Sequence, residues 1–182
     1  QKKINIIVAT SGDTGAAAIN ATKNRKNMKI FVLHPKNKVS EIQRRFMTTV
    51  GSTNVYNLAI DGNFDDCQKL VKSMFADSKF RNSINMSAVN SINWSRIMFQ
   101  TVYYFFAYFQ IAKKNEKINF SVPTGNFGDI YAGYVAKKMG LPIGKLLIAT
   151  NKNDILKRVI DTGVYKPKKV KQTISSSMDI QV

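Results

Sequence analysis

One cysteine, one histidine and one tryptophan are spread over 182 residues, and 28 basic side chains stand against only 11 acidic ones. A single Cys67 excludes an internal disulfide framework, and with His34 as the lone imidazole a zinc cluster has no ligand set, so no metal is expected. No apolar run approaches the roughly 20 residues that cross a bilayer. The densest run, Tyr103 to Phe109, is short and aromatic, so no membrane partner is expected. The chain opens Gln-Lys-Lys and no signal-peptide pattern precedes its first apolar run, which makes a cytoplasmic setting the expectation.

The shortage of acids leaves a net charge of +17, the usual footprint of nucleic-acid binding. Lysines cluster in "YKPKKVKQ" (Tyr165 to Gln172), yet no aromatic stacking motif or recognition-helix pattern accompanies them. Lys, Asn and Ile are inflated together, which points to a compositional bias that scatters lysines over solvent faces. No nucleic-acid partner is therefore expected, although a positive field also favours an anionic substrate. The hydrophobic share of 44% and charged share of 21% are ordinary for a globular protein. The length allows one or two domains.

Short β-branched runs alternate with helical stretches. "INIIVA" (Ile4 to Ala9) ends in the turn "TSGDTG", and "AAAINATKN" has helical composition. "KIFVLHP" repeats the strand signal before "KVSEIQRRFMTTVG", with Ser40 as N-cap and Gly51 as a stop. "NVYNLAIDG" predicts a third strand, and "NFDDCQKLVKSMFAD" puts Phe64, Cys67, Leu70, Val71 and Met74 on one helical face. Residues 84–114 break the rhythm with a polar approach and a long, nearly all-apolar helix, expected to be buried on most sides with Trp94 in the core. Strand "INFSVP", a glycine turn, helix "IYAGYVAKKMG", strand "KLLIATN" and helix "NDILKRVIDTG" follow, and the tail from Tyr165 predicts loop. This alternation predicts an α/β fold, three-layered with parallel sheets. The expected division is a smaller βα lobe over 1–114 and the incomplete start of a larger lobe over 115–182.

Three polar segments lie where strand ends or helix starts would gather ligands. In "TSGDTG" (Thr10 to Gly15) hydroxyls and glycine N–H groups precede a helix, an arrangement that holds a carboxylate or phosphate or is simply a capped turn. Asp13 would repel an anion unless it meets an amine or hydroxyl. In "PTGNFGD" (Pro123 to Asp129) two glycines three apart leave backbone N–H groups unshielded, a nest better suited to phosphate than to carboxylate. It is neither a Walker A loop nor a dinucleotide fingerprint. In "NSINWSR" the polar Asn90, Ser91, Asn93 and Arg96 crowd the start of the long helix, as caps or as an anion site with an Arg fork.

Taken in order, "ATSGDTGAAAI", "LHPKNKVSEIQRRFMTT", "IDGNFDDCQ", "NMSAVNSINWSRI", "FSVPTGNFGDIYAGY" and "SSSMDIQV" resemble the threonine synthase family of pyridoxal-phosphate-dependent fold-type II enzymes. The resemblance covers nearly the whole chain. It implies parts of two lobes of that fold, with the cofactor cleft between them. It also implies the conversion of O-phospho-L-homoserine and water to L-threonine and phosphate, with pyridoxal phosphate as cofactor. Gly125, Asn126, Phe127, Gly128 and Asp129 carry over as the cradle of the cofactor phosphate. Ser11, Gly12, Asp13, Thr14 and Gly15 carry over as a substrate loop, where many fold-type II relatives have Asn in place of Asp13. Asn90, Ser91, Asn93 and Arg96 carry over as holders of the substrate phosphate.

The family's Schiff-base lysine stands in a Phe-Lys-Asp context upstream of the "SGDTG" loop. Phe-Lys-Asp does not occur in this chain, so the 182 residues are expected to be an internal fragment that is inactive alone. The alternatives are another fold-type II enzyme, such as a threonine dehydratase or cysteine synthase, or a non-catalytic phosphate-binding relative.

Overall fold

The computed structural model describes residues 3–90, 93–114 and 116–181. Two compact units divide the chain, Gln1–Asn90 with Gln172–Ser177, and Ser91–Lys171 with Met178–Val182.

The first unit is built on a parallel sheet in the order β3-β2-β1-β4, from β1 (Ile4–Ala9), β2 (Met28–Pro35), β3 (Val55–Ile60) and β4 (Met86–Ala88). Alternate side chains of a strand point to opposite faces, so each strand supplies two cores. Ile6, Val8, Ile30 and Val32 pack on one face with Ala18 and Ile19 of α1 (Asp13–Thr22) and Met47 of α2 (Glu41–Thr48). Ile7 and Leu33 pack on the other with Cys67 and Val71 of α3 (Phe64–Ala76) and Met86. These are the three layers expected of an α/β unit, and β1 lies inside the sheet with both neighbours parallel to it. A short α4 (Ser78–Ser83), capped by Asp77, and the three-residue β4 were not expected from the sequence. Both lack the apolar periodicity that reveals longer elements.

Cys67 is fully buried, and burial, aided by the neighbouring Asp66 carboxylate, pushes its thiol up to about 11. The thiolate is the reactive form, so Cys67 should resist thiol reagents at about pH 8 in the native protein and react once it is denatured. Labelling with and without denaturant measures this, and rapid native labelling would place Cys67 outside the core.

The second unit pairs β5 (Ile118–Pro123) and β6 (Ile143–Ala149) in parallel, with α5 (Trp94–Ile111) and α6 (Gly128–Lys138) packed on them. Its core joins Ile97, Tyr104 and Tyr108 of α5 to Val122, Ile130, Ala132, Ala136, Leu141 and Ile143. At Gly133 a Cβ would come within 2.6 Å of the Tyr104 ring, so the two helices meet where only glycine fits. Helix α7 (Ile155–Thr162) buries Ile155 and Leu156 and stops at Gly163, whose φ of 71° ends the helix in a left-handed turn.

Helix α5 departs from expectation. Its buried residues are Ile97, Thr101, Tyr104 and Tyr108, one stripe at helical spacing, whereas Phe99, Phe106 and Phe109 are exposed. Trp94 was expected in the core but is 62% exposed, because it stands at the first residue of the helix, where the packed stripe ends. The stripe packs on β5, α6 and β6, so α5 groups with the elements that follow it. The division expected at residue 115 differs from this grouping. The tail from Tyr165 is irregular apart from a single 3-10 turn, Ser176–Met178. Every described lysine is exposed, in keeping with lysines scattered over solvent faces. Among the described residues no helix is long and apolar enough to cross a membrane, and no group of three or more His, Cys, Asp or Glu is placed to hold a metal ion.

Candidate functional site

The loop after β1 leads straight into α1, whose first turn already contains Asp13, Thr14 and Gly15. Gly12 occupies the cap position of this helix and has no side chain to cap it; its φ of 143° is a backbone conformation that favours glycine. Thr10, 1% exposed, organises the turn: its Oγ1 accepts from the N–H of Gly12 at 2.9 Å and of Gly15 at 2.8 Å. Two of the glycine donors expected to face an anion are thus committed to Thr10. The amides of Asp13 and Thr14 remain in the first turn, where no carbonyl of the helix reaches them. Close packing holds the loop still, since a Cβ on Gly15 would lie 2.5 Å from Thr10 Cγ2 and one on Gly12 would lie 2.6 Å from Gln43 Cδ. Asp13 itself is exposed, and its Oδ1 accepts from Gln43 Nε2 at 2.7 Å.

In the second unit β5 ends at Pro123, and Thr124 ties the chain back through its N–H to the Ala149 carbonyl at 2.8 Å and its Oγ1 to the Val122 carbonyl at 2.6 Å. The chain then turns through Gly125, Asn126 and Phe127 into α6, with Gly125 and Gly128 buried and Asn126, Phe127 and Asp129 half-buried. Phe127 holds the cap position and no side chain caps the helix. The Tyr131 N–H is the donor that reaches the Phe127 carbonyl, so the amides of Gly128, Asp129 and Ile130 precede the helix's own hydrogen-bond ladder. Several outward donors at the positive end of a helix dipole form a set matched to a multi-oxygen anion.

Asp129 would weaken such a site if its carboxylate faced the anion. Instead the Tyr104 hydroxyl donates to the Asp129 carbonyl at 2.9 Å and lies 3.2 Å from Oδ1. Burial, and then the Asp129 carboxylate, raise the Tyr104 phenol well above its ordinary value, so it stays a donor. A cavity of about 220 Å³ lies beside this pair, lined by Tyr103, Tyr104, Ala107, Phe120 and Asp129 among others. Tyr104→Phe should preserve the packing but release Asp129. The expected result is cofactor retention weakened about tenfold, the worth of one hydrogen bond to a charged group, with little change in melting temperature. Equilibrium dialysis against pyridoxal phosphate measures it, and unchanged retention would assign Tyr104 to packing alone.

Asn93 caps α5, its Oδ1 accepting from Ser95 N–H at 2.9 Å, and Arg96 follows in the first turn, half-buried. Asn90 is exposed, and Ser91 lies outside the described residues. In the third segment the geometry gives Asn93 a capping role.

All 182 residues match the family described as pyridoxal-phosphate dependent enzyme. The chain belongs to that family. It is 52% identical over 181 residues to a threonine synthase of Pseudomonas aeruginosa, covering all of this chain and 39% of that protein. Two solved structures superpose closely. Threonine synthase from Brucella melitensis, with PLP bound, is 56% identical at a TM-score of 0.86 over 100% of this chain and 39% of that one. Threonine synthase from Escherichia coli is 41% identical at 0.92 over 99% and 42%. The chain therefore spans about two fifths of the length of these relatives. Residues that sequence reasoning missed in this family member are Thr10, Gln43 and Tyr104. Thr10 had a signal, a hydroxyl at the strand end before the glycines, but the other two act through distant chain segments.

Proposed function

We propose that this chain is part of a threonine synthase, which converts O-phospho-L-homoserine and water to L-threonine and inorganic phosphate with pyridoxal phosphate as cofactor. The observation that carries this reading is the 52% identity to a threonine synthase across the whole chain. The donor set at the start of α6 fits the cofactor's phosphate, because the cap residue Phe127 makes no side-chain hydrogen bond to the first-turn amides. When bound, the cofactor supplies an electron sink for negative charge developing at substrate carbons.

The residues of this chain bind and orient. The loop Gly125 to Asp129 holds the cofactor phosphate through backbone N–H groups. Ser11 to Gly15 form a substrate loop in which the first-turn amides attract the substrate carboxylate and Asp13 meets a cationic or donor group. Arg96, with Asn90, Ser91 and Asn93, holds the substrate phosphate, for which a planar guanidinium fork is suited. The Schiff-base lysine is proposed to lie in sequence outside these 182 residues. The two units are proposed to be parts of the two lobes of a fold-type II enzyme acting in the cytoplasm.

The test uses the product of the complete coding sequence, loaded with pyridoxal phosphate and offered O-phospho-L-homoserine, L-threonine, or O-acetyl-L-serine with sulfide. Equimolar threonine and phosphate from the first is the expected result. Turnover of either of the others in its place would replace this reading with a dehydratase or a cysteine synthase. Binding without turnover of any would favour the non-catalytic relative.

A further inference from the structure

Gln43 sits three residues after Ser40, the spacing at which a Glu or Gln closes a capping box. On α3 that box is closed, since Asp66 Oδ2 accepts from Asn63 N–H and Asn63 Oδ1 accepts from Asp66 N–H. On α2 Ser40 caps the helix by accepting from Gln43 N–H at 3.3 Å, but the Gln43 carboxamide is engaged elsewhere. Its Nε2 donates to Asp13 Oδ1 at 2.7 Å and to Ser177 Oγ at 2.6 Å. Its Oε1 accepts from Ser40 Oγ and from Ser176 Oγ, both at 2.9 Å. Two donors and two acceptor sites are the whole capacity of a primary amide, and all four are used.

Only one orientation of that amide is compatible with its surroundings. A carboxylate accepts and does not donate, so Asp13 must face Nε2, and the Ser40 and Ser176 hydroxyls then turn to donate to Oε1 while Ser177 Oγ accepts from Nε2. We propose that Gln43 is the positioning residue of the substrate loop. It sets the Asp13 carboxylate and locks the loop to the Ser176–Ser177 turn, which lies 134 residues further along the chain but in the same compact unit. Gly12 reinforces this, because a Cβ there would lie 2.6 Å from Gln43 Cδ, so any side chain would displace the carboxamide, and its φ of 143° favours glycine. This inference rests on the reading of Ser11 to Gly15 as a substrate loop. It adds a residue to which no part of that reading gives a role.

The test compares Gln43→Met, which nearly keeps the volume, and Gln43→Glu, which keeps the length but sets a carboxylate against Asp13. Both are made in the complete pyridoxal-phosphate-loaded protein. Gln43→Met should raise KM for O-phospho-L-homoserine about tenfold, the worth of one hydrogen bond to a charged group, with cofactor absorbance unchanged. Gln43→Glu should lose more. In an Asp13→Ala background, which removes the acceptor, Gln43→Met should cost little further, since coupled residues are not additive.

Hydrogen exchange supplies a readout independent of turnover: Gln43→Met should raise exchange in residues 10–15 and 172–178 together. Unchanged KM in both variants, or full additivity with Asp13→Ala, would overturn the positioning role. Should the wild type fail to turn over the substrate, the proposed function falls and exchange alone decides the coupling. Joint loss of protection would then support it, and unaltered exchange would overturn it.

Discussion

Gly125→Val is expected to abolish retention of pyridoxal phosphate. Gly125 is buried at the turn between Thr124, held to β6 through its N–H, and the start of α6, so the backbone there has little freedom to move aside. A valine side chain would stand where the phosphate oxygens approach the amides. Hydrogen bonds to a charged group contribute about 1.5–3 kcal/mol each, so losing two weakens retention by roughly 100-fold or more. Dialysis followed by absorbance of the remaining cofactor reads the loss. Retention equal to the wild type would remove the Gly125 loop from the cofactor site.

The second large effect is expected at Thr10, which contacts no ligand in this account. Thr10→Val keeps the shape of the side chain but removes Oγ1, leaving the N–H groups of Gly12 and Gly15 without their acceptor beneath a 1% exposed side chain. Each unmade buried bond costs about 1–3 kcal/mol, so the variant should lose roughly 2–6 kcal/mol of stability. It should also bind substrate poorly, because the loop that presents Asp13 is no longer fixed at either glycine. Thr10→Ser retains the oxygen and should recover most of both losses. Urea unfolding of the three proteins measures the first effect, and equal stability of Thr10→Val and Thr10→Ser would show that the hydroxyl does not organise the loop.

The parts of the fold legible in the sequence are those whose signals are local. Ile4 to Ala9 and Lys29 to Pro35 read as strands because β-branched runs end in turn residues, and both pair as parallel strands. Ser40 reads as a cap and is one. Helices α1 and α6 begin earlier than their composition suggests, at Asp13 and Gly128, because glycine loops at these strand ends are continuous with the first helical turn. Helix α5 is apolar on every side, a pattern that reads as full burial, yet one stripe alone is packed among the described residues.

The glycine loops could be found as motifs, but what holds them could not. Thr10 acts over two and five residues, whereas Tyr104 reaches Asp129 across 25 and Gln43 reaches Ser177 across 134. Such bonds follow from the packing of whole elements and leave no periodicity to read.

The amides at the start of α6 are expected to take the phosphate of pyridoxal phosphate. A crystal structure of the complete protein with that cofactor is the decisive measurement. The phosphate should lie within hydrogen-bond distance of backbone N–H groups between Gly125 and Ile130, with Asp129 turned to Tyr104. A phosphate seated instead on the Ser11 to Gly15 loop, or held by lysine side chains away from both loops, would contradict it.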